Sequence, residues 1–180
     1  IMQDVQPWPD FDEGLEAFES GTTLYFYDCD ENALDESKCS VDVAPPAGAV
    51  AFTLRLLRDP AVPLGEVGAY YVEIEDGATA RYDVVLTYGG ALERQQYLTR
   101  RTNDDGSLSY FVLPFQYNYQ GDFANESPDD WPFRDVRSDQ WYDFAADTLR
   151  EPDDADSFDN NCAGCHFTGY IVIGVSLFDN

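Results

Sequence analysis

Two thiols and an imidazole stand together late in the sequence, as Cys162-Ala163-Gly164-Cys165-His166. Thiols three residues apart fit one turn of a helix, so both can reach one edge of a flat macrocycle. The next residue can then aim a ring nitrogen at a metal in its centre. This C-x-x-C-H spacing is the attachment pattern of c-type haem. The sulfurs add to the porphyrin vinyl groups as thioethers, and the imidazole ligates iron. Ala163 and Gly164 are small, which lets the backbone lie close to the ring. Other chemistries share parts of the pattern. A thioredoxin-like C-x-x-C requires a βαβ context, and the neighbours here are a helical stretch, an acidic run and an apolar tail. A zinc site requires a fourth ligand, from Cys29, Cys39 or a carboxylate. A disulfide between Cys162 and Cys165 would close a small, strained ring.

The longer segment, Cys162-Ala163-Gly164-Cys165-His166-Phe167-Thr168-Gly169-Tyr170, resembles the C-x-x-C-H-x-T-G-Y haem motif of multihaem c-type cytochromes. The stretch before it (YDVVLTYGGALERQQYLTR, then SYFVLPFQYN and a DDWPF segment) looks like the β-rich region preceding such motifs, so the likeness spans residues 82–170. The resemblance implies one covalent haem c on Cys162 and Cys165, with His166 as proximal iron ligand and Thr168 and Tyr170 beside the cofactor. It also implies export and electron transfer. The chain departs from that family in carrying a single motif and a single His, so bis-His ligation within one chain is impossible.

The sixth iron position therefore needs another donor. Met is the usual alternative, and the only Met is Met2. The α-amine of Ile1 is a nitrogen donor with an unperturbed pKa of about 7.7–8.0. Lys38, a Tyr, or a water-filled open position complete the alternatives. Arg134, Arg137 and Arg150 lie near the motif in sequence and could pair with haem propionates.

Cys29 and Cys39 are the other two Cys, ten residues apart around an acidic loop. They suit a disulfide, because haem maturation takes place where thiols oxidise. Calcium fits less well. Asp28, Asp30 and Asn32 have the first EF-hand spacings, but Ala33 stands where that loop needs Gly and Cys39 where it needs Glu. Asp153, Asp154, Asp156 and Asp159 are the other acidic cluster, which reads as a solvated linker.

The chain has 180 residues, Lys+Arg 10 against Asp+Glu 35, and a formal net charge of -25. That charge excludes nucleic acid, whose phosphates need Lys and Arg, and argues against anionic lipid. No run reaches the roughly 18 apolar residues of a membrane span. The expected partner is a redox protein with a basic docking face. Apolar residues at 44% and aromatics at 15% suffice for a core. A chain starting at Ile1 reads as processed after export or as a fragment, which places it in the periplasm or outside the cell.

These features predict an electron carrier rather than an enzyme. Two alternatives use the same motif. One is a haem-bearing subunit of a surface filament or larger cytochrome assembly. The other is an open-site haem protein that binds a small ligand or has weak peroxidase activity.

The elements that must position this chemistry are mostly strands. Residues 10–20 suit a short helix stopped by Gly21. Residues 22–27, 49–57, 70–74, 80–88, 92–100 and 108–117 read as six strands of an antiparallel meander. Asp76-Gly77, Gly89-Gly90 and residues 103–106 supply turns. Residues 138–149 have helical spacing, with Trp141, Phe144, Ala145, Thr148 and Leu149 on one face. Residues 171–178 form an apolar tail. The expected fold is mainly β, an antiparallel sheet or sandwich with two short helices. A β-rich domain over residues 1–150 would precede a haem-attachment segment over 151–180.

Overall fold

A computed structural model describes residues 3–4, 13–27, 50–88, 94–103, 106–118 and 133–161. They form a mainly β architecture of two larger antiparallel sheets and one two-stranded sheet, with two short helices.

After β1 (Gln3–Asp4), α1 covers Glu13–Glu19. Its stop is the expected one. Gly21 adopts φ 70, Gly21 N–H donates to Phe18 O at 3.3 Å, and Thr22 N–H donates to Ala17 O at 2.9 Å. This is the Schellman arrangement, which needs a left-handed residue just past the helix.

The first sheet is the meander β2 (Thr23–Tyr27), β3 (Val50–Arg58), β4 (Tyr70–Asp76) and β5 (Ala78–Asp83). Alternation decides its faces. Leu24, Phe26, Phe52, Leu54, Leu56, Val72 and Ile74 are buried. On the other face, Arg55 opposes Glu73 in register, 3.4 Å apart.

The second sheet has the order β1, β6 (Leu86–Tyr88), β7 (Arg94–Thr102), β8 (Leu108–Asn118) and β9 (Phe133–Asp135). Tyr97, Phe111, Leu113, Phe115 and Phe133 share one core with the inner face of the first sheet. The two sheets thus form a sandwich. Phe18 of α1 sits between them, with ring centroids 5.6 Å from Tyr70 and 5.4 Å from Tyr97.

The second sheet is covered on its other face too. Leu86, Leu98, Tyr110 and Val112 form a separate cluster completed by Phe158, which belongs to α2 (Phe158–Asn161). This is why β8 reads as a nearly unbroken apolar run. A strand buried on both faces loses the alternation of a half-exposed one.

Two expectations need correction. Residues 80–88 do not form one strand: Val84 N–H donates to Tyr70 O at 2.9 Å, whereas Val85 N–H donates to Leu98 O at 2.8 Å. Successive residues bond to different sheets, and the expected single meander becomes two sheets joined at this corner. The adjacent valines serve different cores, Val84 the shared one and Val85 the outer one.

Nor are residues 138–149 a helix. A 3-10 turn over Ser138–Gln140 leads into β10 (Tyr142–Asp143) and β11 (Thr148–Leu149), which pair antiparallel. Asp143 accepts from the N–H groups of Ala145 and Ala146, and Asp147 takes φ 52. Such local side-chain bonds compete directly with helical ones. The second short helix is α2.

Candidate functional site

The residues with haem or disulfide chemistry, namely Ile1, Met2, Cys29, Cys39, Cys162, Cys165, His166, Thr168 and Tyr170, lie outside the described residues, as do Asp28, Asp30, Asn32 and Lys38. What the structure describes is the chain up to Asn161, one peptide bond before Cys162. The candidate site is therefore the platform from which the motif departs.

That platform runs along one edge of β8. β9 pairs with β8 only at Phe115, Gln116 and Tyr117. Among the described residues no strand pairs with Ser109 to Pro114 on this side. An exposed strand edge presents unpaired backbone groups, and three later residues satisfy them in turn. Val136 N–H donates to Pro114 O at 3.3 Å. Trp141 Nε1–H donates to Val112 O at 2.8 Å. Tyr110 N–H donates to Asp159 Oδ2 at 2.7 Å. Residues 114, 112 and 110 point the same way because backbone groups alternate along a strand. Pro114 brings no N–H to this edge, which is where a strand tolerates proline.

The segment between Trp141 and Asp159 is pinned on both sides. Arg101 of β7 donates to Pro152 O, pairs with Glu151 at 2.5 Å, and lies 5.3 Å from the Phe111 ring centroid. Arg150 donates to Gln140 O at 3.0 Å and to Asp156 Oδ2 at 3.2 Å. Its guanidinium thus ties this segment to the preceding turn.

The acidic run 153–159 is structured, contrary to its reading as a solvated linker. Asp153 caps the 3-10 turn Asp154–Asp156 in a capping box, with Asp156 answering on its backbone. Asn160 donates to Asp154 O at 2.7 Å, and Asn161 donates to Ala155 O and to Ser157 O. Phe158 and Asp159 are buried. Among the described residues no three His, Cys, Asp or Glu side chains are placed to hold a metal ion.

One more group went unnoticed in the sequence. Asp135, at the end of β9, accepts Ser138 N–H at 3.1 Å and Ser138 Oγ–H at 2.5 Å. Burial pushes its carboxyl up from 3.8 to about 6, outweighing those two bonds, and nearby Asp139 adds to the rise. The native state therefore binds this proton more tightly than the unfolded chain does. Its contribution to stability is complete below about pH 4 and is lost as pH rises to about 6. Solvent at the partly exposed side limits the effect to the order of 1 kcal/mol. Asp135→Asn should flatten this part of the pH profile, measured by urea unfolding between pH 4 and 7. A variant profile parallel to that of the parent would contradict the assignment.

Compared with known proteins, the chain matches no family, no curated protein and no solved structure. No helix among the described residues is long and apolar enough to cross a membrane.

Proposed function

We propose that the chain is a monohaem c-type cytochrome that carries electrons outside the cytoplasm. The observation that carries this reading is the C-x-x-C-H motif at Cys162–His166, which begins directly after a helix fastened to β8. The described platform fits a tethered cofactor, because it fixes the chain immediately before the first thiol. Bound haem would supply a one-electron iron couple.

In this reading Cys162 and Cys165 would hold the haem covalently, and His166 would bind its iron. Thr168 and Tyr170 would lie beside it, as the cytochrome resemblance implies. Met2 or the Ile1 amine, of this chain or a neighbour, would supply a second protein donor to the iron, with a water-filled open position as the alternative. Two strong protein ligands suit a carrier, since a fixed shell limits rearrangement when the charge changes. The Cys29–Cys39 disulfide belongs to the same oxidising compartment.

The proposed partner is a redox protein with a basic docking face. Supporting it are the net charge of -25 and the exposed Asp139, Asp143, Asp147, Glu151, Asp153 and Asp154 on the approach to the motif. Opposite charge steers such encounters.

The test is the absorbance spectrum of the reduced holoprotein with and without carbon monoxide. A carrier with both axial positions filled should show no change. A shift on adding carbon monoxide would instead favour the open-site reading, with small-ligand or peroxidase chemistry.

A further inference from the structure

We infer that Asp159 is the positioning residue of the haem-attachment segment, its carboxylate docking the end of α2 on the open edge of β8 and so fixing where Cys162 and Cys165 begin. The inference rests on the haem reading above and adds to it the group that sets the geometry.

A strand edge can be closed in several ways, and here each bond has a different consequence. The Val136 bond merely continues β9. The Trp141 bond closes the edge from a residue well before the motif in sequence. The Asp159 bond comes from a residue three positions before Cys162. A backbone N–H to a carboxylate is a charge-assisted bond, shorter and stronger than a neutral one. Asp159 is only 9% exposed, so water competes poorly for the Tyr110 N–H. Phe158 anchors the same turn from the apolar side, filling the cluster of Leu86, Leu98, Tyr110 and Val112.

A four-residue helix cannot hold itself in place, because helices this short are unstable alone. The orientation of α2 is set by these anchors and by the Asn160 and Asn161 amides on the preceding turn. Asp159 ties α2 to the sheet through the Tyr110 N–H, and so it sets the helix end relative to β8.

Position and charge can be separated by substitution. Asp159→Asn keeps an acceptor oxygen at the same reach. Asp159→Glu keeps the charge but lengthens the tie by one methylene. Asp159→Ala removes the tie. Each is produced as the full chain with haem-attachment machinery. Haem per chain is read from intact mass, the midpoint potential from a spectroscopic titration, and folding from thermal unfolding. Trp141→Phe is the control, since it removes a bond from the same edge made by a residue well before the motif in sequence.

The Asn variant should keep the parent's haem content and potential. The Ala and Glu variants should lose most of their haem, or hold it at a shifted potential. Trp141→Phe should lose stability and keep its haem. Ala and Glu variants with the parent's haem content and potential would overturn the inference. If the Ala variant fails to accumulate, the Glu variant alone decides in the same way. An Asn variant as deficient as Ala, beside an intact Glu variant, would also overturn it, by showing that charge rather than position matters. A haem-free parent would refute the functional reading instead, which is a distinct outcome.

Discussion

Trp141→Ala should be among the most destabilising single substitutions in this protein, by about 4 kcal/mol. Trp141 is 1% exposed, and removing so large a buried ring costs roughly 3–5 kcal/mol. Its Nε1–H is also the donor to Val112 O at 2.8 Å. A carbonyl left without a partner adds a penalty of about 1–3 kcal/mol unless water enters. The ring packs edge-on against Tyr82 of β5, with centroids 4.8 Å apart, and so links the outer strand of the first sheet to the edge of the second. For a domain of this size the melting temperature should fall by roughly 10 °C. Urea unfolding of parent and variant measures the change directly. A loss below about 1 kcal/mol would show that Trp141 does not close the β8 edge.

The sheets were legible because most strands alternate. Leu24 and Phe26, Leu54 and Leu56, and Val72 and Ile74 recur at a period of two, and Gly21, Gly77 and Gly106 mark breaks between elements. The corner at Val84-Val85 was hidden because hydrogen bonding passes from one sheet to the other between adjacent residues, with no Gly or Pro to mark it. Two adjacent valines break the alternation there and were its one sign. The helical reading of residues 138–149 failed for another reason. Trp141 and Leu149 do carry apolar surface into the fold, but Asp143 turns its carboxylate onto the backbone and Asp147 takes a left-handed conformation. Local bonds outcompeted a weak periodicity.

The platform was harder to read than the motif. Cys162, Cys165 and His166 announce themselves by spacing. Asp159 is one carboxylate in a run of acids, and nothing in its type separates it from Asp153 or Asp154. What distinguishes it is that the fold puts Tyr110 N–H within 2.7 Å, on the stretch of β8 that β9 does not reach. Asp135 was invisible for the same reason, since its raised proton affinity arises from burial. Partners contributed by tertiary structure leave no local signal.

Covalent haem attachment carries the largest functional consequence. Thioethers to Cys162 and Cys165 would survive denaturation and acid-acetone extraction, whereas a haem held by ligation alone would be stripped. The sequence has one C-x-x-C-H motif and one His, so the stoichiometry should be one haem per chain. Replacing Cys162 and Cys165 together by alanine should abolish it, because no other pair of thiols precedes a His. Cys29 and Cys39, with their wide spacing, cannot substitute. The decisive measurement is the intact mass of the denatured, extracted protein after export with haem-attachment machinery. The account predicts the chain mass plus one haem for the parent and the bare chain mass for the Cys162→Ala, Cys165→Ala variant. A bare chain mass for the parent, or zinc in its elemental analysis, would contradict it.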